Sequence, residues 1–181
     1  SETAFEFPAP YLKEEQYITS EQAISDLPSL ENDLGRDESE YITEPQNDFQ
    51  RMMRGDCKVL HNHKAVDHKP FVKEVISQVP DGGNYKDLPK GVGESRTFHM
   101  AWTRLDSQKP ARTVDTGHRN LFHYKWNRCP TVRESARIQT FPDDFVFLGT
   151  KGQQDRQVGN AVPVLMAKAL GKSIKKYIDE K

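Results

Sequence analysis

A chain of 181 residues with 35% hydrophobic side chains suits one modest domain or two small ones, and no run in it nears the roughly 20 apolar residues of a membrane span. The acidic N-terminus lacks the order of a secretory signal, and two cysteines, Cys57 and Cys129, cannot staple a secreted scaffold; an intracellular setting with reduced thiols is expected, cytoplasm or nucleoid if the source is bacterial. The net charge of −1 hides an asymmetry: residues 1–50 hold 13 acidic side chains against Lys13 and Arg36, and the rest holds 24 basic against 14 acidic, the balance of a segment that binds a polyanion or of an ordinary solvated basic face.

In chain order, residues 1–50 form an acidic leading segment that opens extended and Pro-punctuated at "FEFPAP". In "TSEQAISDLPSL", Thr19 and Gln22 stand at capping-box spacing and predict a short helix closed by Pro28. The stretch from Glu31 to Phe49 has no apolar period, so a mobile acidic linker or surface loop is expected. "KPFVKEVISQVPDGG" sets Phe71, Val72, Val75, Ile76 and Val79 at helical spacing, with Pro70 in the first turn and Pro80 at the exit. Residues 96–126 are short aromatic and β-branched runs between polar turns, which predict the strands of a small β-rich module within a unit spanning 51–127.

The closing segment, 128–181, begins with the clearest helix start in the chain: Thr131 caps "TVRESARIQTF" while Glu134 reaches back to its amide. Pro142 ends that helix, and "PDDFVFLG" allows a short strand. A loop, "RQVGNAVP", then feeds a last helix near Pro163 whose Met166, Leu170, Ile174, Tyr177 and Ile178 make one apolar stripe.

Several of these residues carry chemistry. Cys57, His61, His63 and His68 are zinc-ligand types, but without the spacing of a finger or ribbon or a second cluster; no metal site is expected, and His61-Asn62-His63 reads as solvated polar residues near a turn. Cys129 has the chemistry of a nucleophile, with Arg128 beside it to lower its pKa, yet its place before Pro130 and the Thr131 cap favours packing. Arg133 and Arg137 share a helix face, suited to holding phosphates, to pinning carboxylates of a neighbouring unit, or simply to solvent. At the loop, Gly159 permits close backbone approach or positive φ, and Asn160 offers both a donor and an acceptor.

Together, "RCPTVRESARIQTFPDDFVFLG" (128–149) and "QVGNAVPV" (157–164) closely resemble the last two conserved blocks of the DNA cytosine C5-methyltransferases, with Val164 in place of a second proline. "VPDGGNYKDLP" and "TRLDSQKPARTVDTGHRN" look like a short target-recognition domain of that family, so the resemblance covers almost the whole chain. The family's Pro-Cys, Glu-Asn-Val and Gly-rich cofactor blocks do not occur in these 181 residues. The resemblance therefore implies the C-terminal part of such an enzyme: either the smaller subunit of a split methyltransferase, with Ser1 following a removed initiator, or a fragment of a longer chain. It implies an α+β chain, with a small β-rich target-recognition module and C-terminal helices that complete a Rossmann-like S-adenosylmethionine-dependent methyltransferase domain.

The implied reaction belongs to the assembled enzyme. A cytosine of double-stranded DNA is flipped, a cysteine of the N-terminal catalytic subunit or segment attacks C6, a glutamate of that segment assists at N3, and C5 receives the methyl group. Asn160, Ala161 and Val162 are then expected to bind the cofactor beside its methionine portion, in a site shared with that segment, while no catalytic residue and no metal ligand lies in this chain. Thr113 is expected near the flipped nucleotide, and Arg104, His118 and Arg119 at bases or phosphates. Arg133, Glu134, Arg137, Gln157 and Gly159 are expected to organise the junction. A non-catalytic DNA-binding module or an inactive methyltransferase fragment is the alternative; the first would have no need of the GNAVP loop.

Overall fold

A computed structural model describes residues 4–94, 101–117 and 119–180. Its elements run α1 (Ser20–Ile24), β1 (Glu38–Glu40), α2 (Asp48–Arg54), β2 (Val59–His61), α3 (Pro70–Gln78), β3 (Thr103–Arg104), β4 (Leu121–Phe122), α4 (Val132–Ile138), α5 (Lys151–Gly159) and α6 (Val164–Asp179). The described residues are thus a mixture of helices and two minimal sheets, compatible with α+β: β1 pairs antiparallel with β2, and β3 parallel with β4. No helix among them is long and apolar enough to cross a membrane.

Local capping explains the helices that sequence predicts. Thr19 Oγ1 accepts the Gln22 amide at 3.2 Å and Gln22 Oε1 accepts the Thr19 amide at 3.0 Å, which starts α1. Pro70 supplies the pre-set φ of the first turn of α3, and Thr131 with Glu134 closes the same reciprocal box on α4. Elsewhere the structure departs from the sequence reading. The expected acidic linker contains β1, because Glu38, Ser39 and Glu40 find partners in His61, Leu60 and Val59. The boundary placed after Gln50 falls inside α2, and the Gln50 amide is buried, donating to Gln22 O and Ser25 Oγ at 2.9 Å each.

The module expected to be β-rich holds only the two-residue strands β3 and β4 among its described residues; 95–100 and 118 lie outside them. Of its described aromatic residues, Phe122 in β4 and Tyr124 just after it are buried, whereas Trp102 and Trp126 are half-buried. Residues 142–149 form no strand either: the Asn62 side chain takes the place of a neighbouring strand, accepting the Phe147 amide at 2.9 Å and donating to its carbonyl at 2.8 Å.

Apolar burial crosses all three segments. Ile24, Leu27, Phe49, Met53, Leu60, Leu105 and Leu121 form one cluster, and Val114, Val132, Ala136, Phe147 and Val158 a second beneath the last two conserved blocks. Between them runs a buried ionic network. Arg137 grips Asp143 through Nε and Nη2 at 2.9 and 2.7 Å, while its Nη1 reaches Asp26 Oδ1 at 2.6 Å. Arg54 takes the other Asp26 oxygen at 2.6 Å, and Tyr41 donates to Asp143 at 2.6 Å. Arg133 donates to the carbonyls of His61, Pro142 and Phe145. Both arginines of the α4 face are fully buried, so neither is a solvated surface charge: Arg137 binds two carboxylates and Arg133 mainly backbone carbonyls.

Candidate cofactor and DNA-recognition site

The site grows from the two conserved blocks. Glu134 is fully buried; burial alone would raise its pKa, but Arg128, bidentate at 2.6 and 2.7 Å, outweighs that and holds it well below the usual carboxylate range. Behind it, His123 Nδ1 accepts the amides of Lys125 and Trp126 at 3.0 and 3.1 Å, which assigns the ring proton to Nε2, facing Glu134 at 3.5 Å. Burial pushes the His123 pKa down to about 3, so at neutral pH this contact is between a neutral ring and a carboxylate, and Arg128 alone is the counter-ion.

His63 is buried rather than solvated. Its Nε2 meets the Pro28 carbonyl at 2.9 Å, which can only accept, and its Nδ1 meets the Thr131 hydroxyl at 2.9 Å. His68 accepts the Cys129 amide at 3.2 Å. These histidines orient the chain around Thr131, and no group of three metal-ligand side chains is gathered among the described residues. Cys129 is buried, and burial pushes its thiol up to about 12, away from the range of a nucleophile and into the packing role.

The second block is arranged differently from its sequence reading. "KGQQDRQVG" forms α5, a helix with no apolar period because Val158 is its one buried residue, and Gly159 ends that helix instead of lying in the loop. What remains of the loop is the turn Asn160–Pro163 before α6. Asn160 and Val162 are exposed, Ala161 half-buried, and Gln157 anchors the start of α5 by donating to Leu148 O at 2.9 Å. No residue of α6 is buried, and Met166, Ile174 and Ile178 of the predicted stripe are 56%, 48% and 63% exposed. An apolar groove of about 640 Å³ opens beside it, lined by Tyr11, Tyr17, Phe49, Met52, Leu165 and Met166.

The structure brings the loop around Asp115 onto the end of α5. Gly159 lies so close to the backbone of Asp115 that a Cβ would sit 2.6 Å from its carbonyl oxygen. The loop is shaped by Asp115, whose carboxylate accepts the Gly117 and Asn120 amides at 2.8 and 3.2 Å, and it carries Thr113 and Arg119 on its exposed side, Arg119 at φ +58. Gly159→Ala is expected to cost roughly 1–3 kcal/mol, because the new methyl group would meet the Asp115 carbonyl oxygen and carbon at 2.6 and 2.9 Å and the Thr116 side-chain methyl at 2.9 Å. An unchanged urea midpoint would show that the seat is not tight.

Arg104 does not join this surface. It is buried, and its guanidinium donates to the carbonyls of Ile76, Val79, His123 and Trp126 and to Asn127 Oδ1, tying the end of α3 to the 123–127 loop. The DNA contact expected of it is therefore corrected to a supporting position: a guanidinium with five acceptors inside the protein has no face left for a base or phosphate. His118 lies outside the described residues.

Residues 2–176 match the family described as C-5 cytosine-specific DNA methylase, and the chain belongs to that family, whose methyl donor is S-adenosylmethionine. It is 41% identical over 128 residues to the type II methyltransferase M1.HphI of Haemophilus parahaemolyticus, covering 71% of this chain and 34% of that one. It is 32% identical over 185 residues to the type II methyltransferase M.DdeI of Desulfomicrobium norvegicum, covering 92% and 45%. The chain thus spans less than half the length of these two relatives. With the type II methyltransferase M.AquIB of a Picosynechococcus strain it shares 37% identity over 144 residues, which cover 70% of this chain and 99% of that relative. Its fold matches a crystal structure described as a DNA modification methyltransferase encoded within an E. coli prophage, with a TM-score of 0.66 at 22% identity over 90% of this chain and 47% of that one.

Proposed function

We propose that this chain is the DNA-recognition and cofactor-site-completing part of a DNA (cytosine-5-)-methyltransferase, inactive alone and completed by a catalytic segment that carries the cysteine nucleophile and the remainder of a Rossmann-like domain. The observation that carries this reading is the seating of the loop around Asp115 on the end of α5, next to the backbone that leads into the Asn160–Val162 turn; in this reading the loop meets DNA and the turn meets the cofactor. The exposed stripe of α6 supports a partner segment, since an apolar helix face left in water is unfavourable. A methyltransferase relative matched over 99% of its own length by 70% of this chain supports the reading that a part of this kind can exist as a separate chain.

The residues present fit the methyl donor. Asn160 offers an exposed amide able to pair with the charged end of its methionine portion, Ala161 leaves room, and Val162 covers an apolar stretch. When bound, S-adenosylmethionine supplies the electrophilic methyl group. Thr113 and Arg119 hold the backbone of double-stranded DNA around a flipped cytosine, and contacts of this kind offset the few kcal/mol of unstacking.

Asn160→Ala should separate the two halves of this reading. In the assembled enzyme it is expected to raise the KM for S-adenosylmethionine about tenfold, the worth of one good polar contact, and to leave DNA affinity within about twofold. Equal loss of both would contradict a cofactor role for the turn.

A further inference from the structure

We propose that Gln139 and Thr140, at the end of α4, are positioning residues for the methyl donor, an inference that rests on the cofactor reading of the Asn160–Val162 turn. The two residues bracket that turn on both sides. Gln139 Nε2 donates to Val158 O at 3.2 Å and Ala161 O at 3.3 Å; Gln139 O accepts the Val164 amide at 3.1 Å; Thr140 Oγ1 accepts the Leu165 amide at 3.0 Å.

Most of these bonds answer a need that the turn does not meet itself; the Val158 carbonyl also accepts the Ala161 amide at 3.2 Å. Helix α6 starts at Pro163 with no side-chain cap, so the amides of Val164 and Leu165 belong to the first turn that has no intrahelical partner. Gln139 and Thr140 cap α6 from a different helix, in place of the Ser, Thr, Asp or Asn that usually caps from within. At the other side, the carbonyls of Val158 and Ala161 straddle Asn160 and share one amide group. The exposed wall is thereby held by groups that are themselves buried or partly buried: Gln139 is 9% exposed.

Thr140 adds an independent sign. It has φ +57, a conformation unfavourable for a β-branched residue. The bonds around it, Phe141 N to Ala136 O at 2.9 Å and Thr140 N to Arg137 O at 2.9 Å, form the helix end at which glycine is the usual occupant. A glycine would satisfy the backbone but would leave the Leu165 amide without its hydroxyl partner. Backbone strain of this kind persists where a side chain is needed in that place.

The test compares variants in the assembled enzyme by S-adenosylmethionine and DNA affinity, and in the chain itself by hydrogen exchange and thermal unfolding. Gln139→Ala and Thr140→Gly are expected to weaken S-adenosylmethionine binding about tenfold, with DNA affinity within about twofold, because an unfixed turn has to be ordered on binding. Thr140→Gly should do so without lowering the melting temperature, since it relieves strain, and should speed exchange of the Leu165 amide about tenfold; a purely structural role would predict no loss of affinity for that variant. Thr140→Ser should behave as the parent, and Thr140→Val should match the glycine variant in S-adenosylmethionine affinity and Leu165 exchange while keeping the strain that glycine relieves. Parent-like S-adenosylmethionine affinity in Gln139→Ala and Thr140→Gly would overturn the assignment while leaving the cofactor reading intact. A parent enzyme that binds no S-adenosylmethionine would overturn both.

Discussion

Arg137→Ala is expected to destabilise the chain by about 3–5 kcal/mol, a large fraction of the roughly 5–15 kcal/mol that holds a domain folded. The loss comes from what remains rather than from what is removed. Arg137 is fully buried and shares its protons between Asp143 and Asp26, both also fully buried. Burial works against its charge, yet the bonds to Asp143 and Asp26 more than offset that and raise its pKa. Without it Asp143 keeps Tyr41 and the Arg133 guanidinium at 3.7 Å, and Asp26 keeps Arg54, so two carboxylates each retain part of a shell designed for more. Arg137→Lys is expected to recover little, because a single ammonium cannot reproduce a fork bonded to two carboxylates. Equilibrium unfolding in urea checks this, and a variant within about 1 kcal/mol of the parent would show that the network relaxes or admits water.

Acidification should weaken the fold well above the range in which carboxylates titrate. The folded-state pKa of His123 is depressed to about 3 from an ordinary 6.5, so between these values the unfolded chain binds a proton that the folded chain refuses. Stability is therefore level well above pH 6.5 and falls as the pH drops through it, by up to about 1.4 kcal/mol per pH unit from this residue. His63, lowered chiefly by burial, acts in the same direction. Glu134 acts in a separate window: its folded pKa is depressed, so its contribution is complete above about pH 4.5 and is lost only below it. Urea midpoints measured at pH 7.5, 6.5, 5.5 and 5.0 should fall slightly between the first two, where the unfolded rings reach half-protonation, and then decline steeply. His123→Gln should flatten the decline. A midpoint constant down to pH 5 would contradict the buried, neutral state of both rings.

The parts of this structure legible in the sequence are those decided locally. Thr19 with Gln22, Thr131 with Glu134, and Pro70 start helices through contacts within four residues, and all three helices form where these signals stand. The parts that were not legible depend on distant partners. Helix α5 has almost no apolar residue to give it a period, and it is held through Val158, Gln157 and the glycine seat on Asp115. Asn62 and His63 look like solvated turn residues until Phe147, Thr131 and Pro28 are brought to them. Arg104 has the composition of a DNA contact, and only the carbonyls of α3 and the 123–127 loop reveal that it faces inward. Of the candidate site, the Asn160–Val162 turn and the Thr113–Arg119 loop were visible through the resemblance to a family; their contact through Gly159 was not, because close backbone approach leaves no trace in spacing. Gln139 carried a weak signal, a polar residue held between the apolar Ile138 and the Phe141-Pro142 pair.

The most direct measurement is methyl transfer on reconstitution. The chain is mixed with the N-terminal catalytic segment of a matching cytosine-5 methyltransferase, and labelled methyl incorporation from S-adenosylmethionine into the cytosines of double-stranded DNA is counted. Incorporation is predicted for the mixture and for neither part alone, with loss on mutating the segment's catalytic cysteine. A mixture that is folded and associated yet transfers no methyl group would contradict the assignment of this chain as the completing part of that enzyme.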